Sequence, residues 1–278
     1  MIKKNNNKNI TVIITLYKTP KEKILNLIQY KNFKNIWFNQ ESNKSYKKKI
    51  KKIVGFEFKY YSDKKNIGLS KASNFLLNKV NTKYCLFTQA DITINEKSIK
   101  KLAKILSRNN DAVIIAPNLK NKLKNKSQQY QYVKQLDLAC ILCDVKKLKK
   151  IGFFDEDFFL YWEDIFLMDR INKSNYKMII ANNVNAIHSG GKSTQNSLKI
   201  QFIRIVNFKY GELLYDYKSQ KLRQVKIFRQ FLQSMIFLFA NVFMFKKIQS
   251  LQNLAIMLGI LKFIKFWFMK KVFSLINL

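Results

Sequence analysis

Apolar runs of strand length alternate with helix-period segments through the first two thirds of this chain. Residues 10–16, ITVIITL, form a β-branched run bounded by polar residues. Thr19-Pro20 then opens a helix to about Tyr30, with Ile24, Leu27 and Ile28 on one face. Residues 35–39 and 56–61 read as the second and third strands. Residues 68–80 read as a helix carrying Leu69, Ala72, Leu76 and Leu77 on one side. A fourth strand, 83–88, ends at Gln89-Ala90-Asp91. A helix over 94–106 and a fifth strand over 111–117 follow. This alternation predicts an α/β fold, a mostly parallel sheet with helices on both faces. Ligands of such sheets gather at the carboxyl ends of the strands, where Tyr17, Asn39 and Asp91 fall.

Strand signals stop near residue 195, and long helical segments follow. The expected organisation is a domain over 1–195 and a helical region over 196–278. Two segments of that region are strongly apolar, 235–245 and 254–269, eleven and sixteen residues long. Each falls short of the roughly 20 apolar residues of a spanning helix. Their aromatic residues and flanking lysines suit helices lying in a membrane interface. The other reading is a helical core or a homodimer surface.

Composition changes the picture in one respect. The formal net charge is +35, from 52 basic and 17 acidic residues, which points to an anionic partner or surface. Only five of the basic residues are arginine, and the lysines are spread along the chain. Bidentate base readout favours arginine, so a nucleic-acid partner is not expected. Cys140 and Cys143 have CxxC spacing but lie in the apolar LACILCD, which reads as a buried strand rather than a zinc or redox site. Reduced cysteines fit a cytoplasmic protein.

Three regions carry candidate chemistry. Asp91 follows a strand, the position of a hard-metal ligand or a helix N-cap. The stretch 151–171, IGFFDEDFFLYWEDIFLMDRI, holds six carboxylates between Asp155 and Asp169 among seven aromatic residues. A carboxylate among aromatic walls has raised proton affinity and can accept a proton. His188, the chain's single histidine, precedes Gly190-Gly191 and Lys192-Ser193-Thr194, a tight loop able to reach phosphate oxygens.

In this order the motifs resemble the family 2 inverting glycosyltransferases of the GT-A fold, in particular a bacterial rhamnosyltransferase-like branch. ITVIITLY is similar to that family's opening strand, and Asn66-Ile-Gly68-Leu-Ser-Lys-Ala72-Ser-Asn74 to its NxGxxxAxN segment. Gln89-Ala90-Asp91 takes the place of its metal-binding DxD. Residues 151–164 resemble its GxFDExFFxYxED block, and His188-Ser-Gly-Gly-Lys-Ser193 its closing HxxGxS. The resemblance implies transfer of a sugar from a nucleotide-sugar donor to a lipid-linked or surface-glycan acceptor at the inner face of the cytoplasmic membrane. It implies Mg²⁺ or Mn²⁺ at Asp91 and His188. Asp164 would be the general base beside Glu163, with Tyr161 and Trp162 on the acceptor side. Thr15, Tyr17, Asn39, Asn66, Gly68, Asn74, Gln89 and Lys192 would meet the donor. Asn39 and Gln89 stand where the family carries acidic residues. That departure leaves open an inactive scaffold of a glycan-assembly complex, and the charge leaves open a basic nucleic-acid-binding protein.

Overall fold

The structure is a computed structural model that describes residues 9–41, 45–119 and 128–276. The chain divides into two units. One runs to Glu156 and resumes over Asp164–Gln195; the other comprises Asp157–Glu163 and the chain from Asn196 onward.

The first unit is built on one eight-stranded sheet. Its strands are β1 (Ile10–Leu16), β2 (Lys34–Asn39), β3 (Lys59–Ser62), β4 (Tyr84–Thr88), β6 (Ala112–Asn118), β7 (Tyr130–Val133), β8 (Cys140–Asp144) and β9 (Lys177–Asn185). They lie in the order β3-β2-β1-β4-β8-β6-β9-β7. A separate ribbon pairs β5 (Ile92–Thr93) with β10 (Ile187–His188). The half from β3 to β4 is parallel, as the sequence pattern predicts. The other half is mixed: β8 runs antiparallel between β4 and β6, and β7 antiparallel to β9. β8 enters directly from the loop after β7 rather than through a crossover helix, so it need not be parallel.

Side chains alternate across each strand, and both faces are covered. From β1, Ile10, Val12 and Ile14 meet Ile24 and Leu27 of the α1 (Lys21–Leu25) and 3₁₀ (Asn26–Tyr30) segment, with Ile50 of α2 (Tyr46–Val54) and Leu102 of α4 (Glu96–Arg108). Ile13 faces the other way, with Leu76 of α3 (Leu69–Asn78), Leu148 of α5 (Val145–Ile151) and Leu167 of α6 (Glu163–Asn172). Asn95 and Asp144 cap α4 and α5, their carbonyl and carboxylate oxygens accepting from the Ser98 and Lys147 amides at 2.8 and 3.2 Å. The helix α2 lies within a lysine-rich stretch, yet Ile50 and Val54 on its inner face are buried. Cys140 and Cys143 are buried free thiols on β8, and burial pushes the Cys140 thiol up to about 12. A thiolate is the form that binds zinc or exchanges disulfides, and this one is suppressed.

The second unit is helical: α7 (Leu198–Lys218), α8 (Gln224–Phe243) and α9 (Lys247–Ile276), with α9 against both others. Residues 157–163 are tied into it. The Asp157 carboxylate accepts from Lys218 Nζ at 2.6 Å, its carbonyl from the Tyr210 hydroxyl at 3.2 Å, and Lys262 lies over the Phe159 ring. The unit's acids beyond residue 195, Glu212 and Asp216, both meet Lys226, at 3.0 and 2.6 Å, which ties the start of α8 to α7.

The two apolar runs, each short of a span by sequence, sit in longer helices. α9 is continuous over 30 residues, and Lys247–Val272 is long and apolar enough to cross a membrane by length and composition. The lysines that divide the run in sequence are excellent helix formers and do not end it.

Gly259 sets how closely α9 approaches α7: a Cβ there would meet the Val206 carbonyl oxygen at 2.6 Å and Lys209 Cβ at 2.8 Å. Gly259→Ala is expected to destabilise the helical unit by about 1–3 kcal/mol through overpacking, read as a lower denaturant midpoint. An unchanged midpoint would show that the two helices part without loss.

Candidate active site

The end of β4 fixes the first half of the site. β4 is buried throughout and stops at Thr88, and the chain turns through Gln89-Ala90-Asp91 into β5. Two side chains of the 3₁₀ segment pin this turn. The Asn26 amide donates to the Ala90 and Ile92 carbonyls at 3.1 and 2.7 Å, while Gln29 donates to Ile92 O at 2.9 Å and accepts from the Ile94 amide at 2.7 Å. The ribbon then sets His188 opposite Ile92.

Asp91 is answered from the loop after β10. The Ser189 amide donates to its backbone carbonyl at 3.1 Å, and the Lys192 amide to its Oδ2 at 3.0 Å. Gly190 and Gly191 both adopt left-handed backbone (φ 63° and 66°), which bends the loop back to reach the carboxylate. His188 Nε2 lies 3.6 Å from Asp91 Oδ2. The Asp91 side chain is fully buried, and neither its Oδ1 nor His188 Nε2 has a hydrogen-bond partner among the described residues. An unpartnered carboxylate oxygen, Asp91 Oδ1, and an unpartnered imidazole nitrogen, His188 Nε2, on neighbouring side chains fit a divalent cation. Among the described residues no three His, Cys, Asp or Glu side chains converge as a closed metal cluster.

Asp137, which sequence reasoning passed over, joins this pair. It lies between β7 and β8, its Oδ1 accepts from the Ala139 amide at 3.0 Å, and its Oδ2 lies 3.8 Å from His188 Nδ1. One histidine therefore has a carboxylate near each ring nitrogen. Nothing in the motif order points to Asp137; only the antiparallel entry of β8 brings it here.

Asp164 is the second residue of α6, and its Oδ1 accepts from the Ile165 amide at 2.8 Å. Burial, reinforced by the nearby Asp137 charge, pushes its carboxyl above the usual aspartate value, against the lowering effect of backbone hydrogen bonds. This is the direction that makes a carboxylate a better proton acceptor.

The donor-side residues lie along the carboxyl edge of the parallel half. Thr15 pairs with Phe38 and Leu16 with Asn39, and the Gln40 amide extends the ladder to Leu16 O at 2.9 Å. Tyr17 follows β1, with its amide on Thr19 Oγ1, and Asn39 is buried, donating to Glu41 O at 3.2 Å. Gly68, with φ 91°, caps α3, and its amide is shared by Gln40 Oε1 and Asn66 Oδ1 at 3.0 and 2.9 Å. Asn74 is engaged elsewhere. Its amide donates to Phe154 O and Glu156 Oε1 at 2.8 and 3.0 Å and its Oδ1 accepts from the Phe154 amide at 3.0 Å, so it clamps the loop 153–156.

In the helical unit, Tyr161 and Trp162 are consecutive residues in the left-handed region, at φ 69° and 71°. Bulky side chains rarely accept that backbone, at a cost of about 1–3 kcal/mol each. Ring contacts hold them: Tyr161 on Phe208 at 5.8 Å, and Trp162 on Phe208 and Tyr215 at 5.7 and 5.3 Å. Gly211 makes room, because a Cβ there would lie 2.9 Å from both Trp162 Cδ1 and the Tyr161 carbonyl. The buried Trp162 indole N–H has no acceptor among the described residues. Glu163, also buried, starts α6 immediately after this turn.

The profile of the family described as Glycosyl transferase family 2 matches residues 11–168. No curated protein matches the sequence. Among solved structures, a mannosyltransferase from Pyrobaculum calidifontis, PcManGT, in complex with GDP-Man and Mn²⁺, superposes with a TM-score of 0.57 at 13% identity, over 78% of this chain and 65% of that one. S. aureus TarS 1-349 superposes with a TM-score of 0.50 at 12% identity, over 90% of each chain. At these identities the likeness is one of fold, the GT-A arrangement. The chain spans 65% of the length of that mannosyltransferase.

The raised proton affinity of Asp164 has a stability consequence. Its carboxylate is stabilising while protonated, and that contribution is lost as pH rises from its ordinary 3.8 through the raised folded value. Asp164→Asn, which never charges, should therefore unfold at a higher temperature than wild type at neutral pH, with the gap closing toward pH 4. Thermal melts across that range check the sign. A gap that widens in acid would mean that the group is stabilised as an anion.

Proposed function

The chain belongs to glycosyl transferase family 2, and on that premise we propose that it moves a sugar from a nucleotide-diphosphate donor to an acceptor hydroxyl by a single inverting displacement. One observation carries the reading. Asp91 Oδ1 and His188 Nε2 are without hydrogen-bond partners among the described residues, and Asp137 lies 3.8 Å from His188 while its charge reaches the burial-perturbed Asp164. The Asp91–His188 pair suits a leaving diphosphate and Asp164 an attacking hydroxyl.

The donor's nucleotide lies along the carboxyl edge at Thr15, Tyr17 and Asn39, with Asn66, Gly68 and Gln89 beside it. Its diphosphate meets the Lys192 side of the glycine loop. Asp91 and His188 would hold Mg²⁺ or Mn²⁺, which when bound offsets the charge that develops on the leaving diphosphate. Asp137, 3.8 Å from His188 Nδ1, would steady the ring with Nε2 toward Asp91. Asp164 takes the proton from the acceptor hydroxyl as it attacks. Tyr161, Trp162 and Glu163, which precede Asp164 in the chain, are read as acceptor contacts, with the Trp162 N–H as a donor to a sugar oxygen. A single attack from the face opposite the diphosphate inverts the anomeric centre. The acceptor we propose is a lipid-linked or surface glycan at the inner face of the membrane, and a deoxyhexose such as rhamnose is one donor sugar to test. Asn74, clamped on Phe154 and Glu156, shapes the donor side by fixing the loop 153–156.

The test is a donor screen. The full chain, incubated with GDP-, UDP- and dTDP-sugars, Mn²⁺ or Mg²⁺ and acceptor lipid, should release nucleoside diphosphate from one donor class. Asp164→Asn should lower turnover by about 10²–10⁴-fold with little change in donor KM. No release from any donor would favour the inactive scaffold instead.

A separate readout addresses Asp137. Asp137→Asn should weaken Mn²⁺ binding, followed by electron paramagnetic resonance, by about 10–100-fold while leaving the melting temperature near wild type. Unchanged Mn²⁺ affinity would remove Asp137 from the metal side.

A further inference from the structure

We propose that α8 and α9 present an apolar, cation-flanked face that docks the protein in the plane of a membrane rich in anionic lipid. The observation is a stripe on α8. Val225, Phe228, Leu232, Ile236, Phe239 and Phe243 follow one another at intervals of three or four residues, and all are exposed. That spacing puts them on one helix face. In the helices of a folded core such a stripe points inward; here Ile227 and Ser234 are the buried positions, and the phenylalanine-rich stripe is outside. Phe243 and Phe245, beside the turn into α9, are 85% and 95% exposed. On α9, Leu254, Leu258, Leu261, Phe268 and Val272 are likewise exposed at helical spacing, with Lys265 among them.

Charge selects the occupant. Beyond Asp216 the sequence has eleven lysines and arginines and no acidic residue. A second copy of this chain would bring the same cations against these, with no carboxylate from this segment to answer them, so self-pairing is penalised. An anionic lipid surface answers them, and lysines at helix ends reach headgroups while their stems stay in the apolar layer. The combination of exposed Phe and Leu with Lys246, Lys247, Lys270 and Lys271 is that of an interfacial helix.

The in-plane arrangement follows from what α9 touches. Its buried Gly259 is in close contact with Val206 and Lys209 of α7, and Lys262 donates to Asn207 at 2.7 Å. α7 carries Lys209, Glu212 and Asp216 nearby. Sending α9 across a bilayer would either strip it from α7 or drag these charges into hydrocarbon, which is expensive.

The experiment is co-sedimentation of the full chain with vesicles. Binding to phosphatidylserine-containing vesicles should exceed binding to pure phosphatidylcholine by about tenfold or more and fall in high salt. The triple variant Phe239→Ser, Phe243→Ser, Phe245→Ser changes only exposed side chains. It should keep wild-type circular dichroism and donor hydrolysis and lose about tenfold or more in vesicle binding. Equal binding of the variant and wild type, or no preference for anionic lipid, would overturn the proposal. So would a dimer seen by light scattering that the triple variant dissolves, which gives the face to a second copy. Resistance of the membrane-bound chain to alkaline carbonate extraction would mark α9 as a span and overturn the in-plane arrangement. Donor hydrolysis is read independently, so loss of lipid binding and loss of the transferase reading are separate outcomes.

Discussion

A carboxylate buried at the end of a central strand is the constraint around which the first unit is arranged. Removing a charge from water is costly unless polar groups close by replace the lost hydration. For Asp91 those groups come from far along the chain: the Lys192 amide on Oδ2 and the His188 ring beside it. Each needs the β5–β10 ribbon, and the ribbon needs the turn after β4 that Asn26 and Gln29 pin in place. Two left-handed glycines let the loop return on itself. Among the described residues the arrangement nonetheless leaves one oxygen and one nitrogen without partners, and a site that folding itself does not fully satisfy is available to a ligand.

The environment of Asp164 is built differently. Asp164 is moved upward mainly by burial, with Asp137 adding a like charge. Asp137 also lies 3.8 Å from His188 Nδ1, so one carboxylate stands near both groups.

In the helical unit, strain and packing are balanced in a small space. The left-handed turn at Tyr161–Trp162 is unfavourable by itself and survives because Phe208 and Tyr215 hold the rings and Gly211 leaves room for them. The same unit shows apolar side chains outward along α8, while Glu212 and Asp216 of α7 both meet Lys226. Its inward contacts are made by small or polar residues such as Gly259 and Ser234 as well as by Ile260 and Phe263, which leaves much of the phenylalanine content on the surface.

Local pattern was enough for the strands β1, β2 and β4, for the helices α3 and α4, and for the family, whose match covers residues 11–168. Those features are written in consecutive residues, because apolar periodicity and short motifs are properties of neighbours in the chain. The antiparallel β8, the lysine-rich α2 and the unbroken α9 were less legible. β8 differs from a parallel strand only in how it is reached, α2 hides two buried residues among charges, and α9 runs through lysines that helices tolerate. Asn74 and Asp137 mark the same boundary within the site. Sequence placed Asn74 in a donor motif and did not mark Asp137, while folding ties the first to Phe154 and sets the second beside His188. The amino-acid sequence by itself determined which chemical groups the protein carries and the α/β frame that bears them. Tertiary structure alone decided which of those groups face one another, because contacts between residues distant in the chain depend on strand direction and loop return, which local periodicity does not encode.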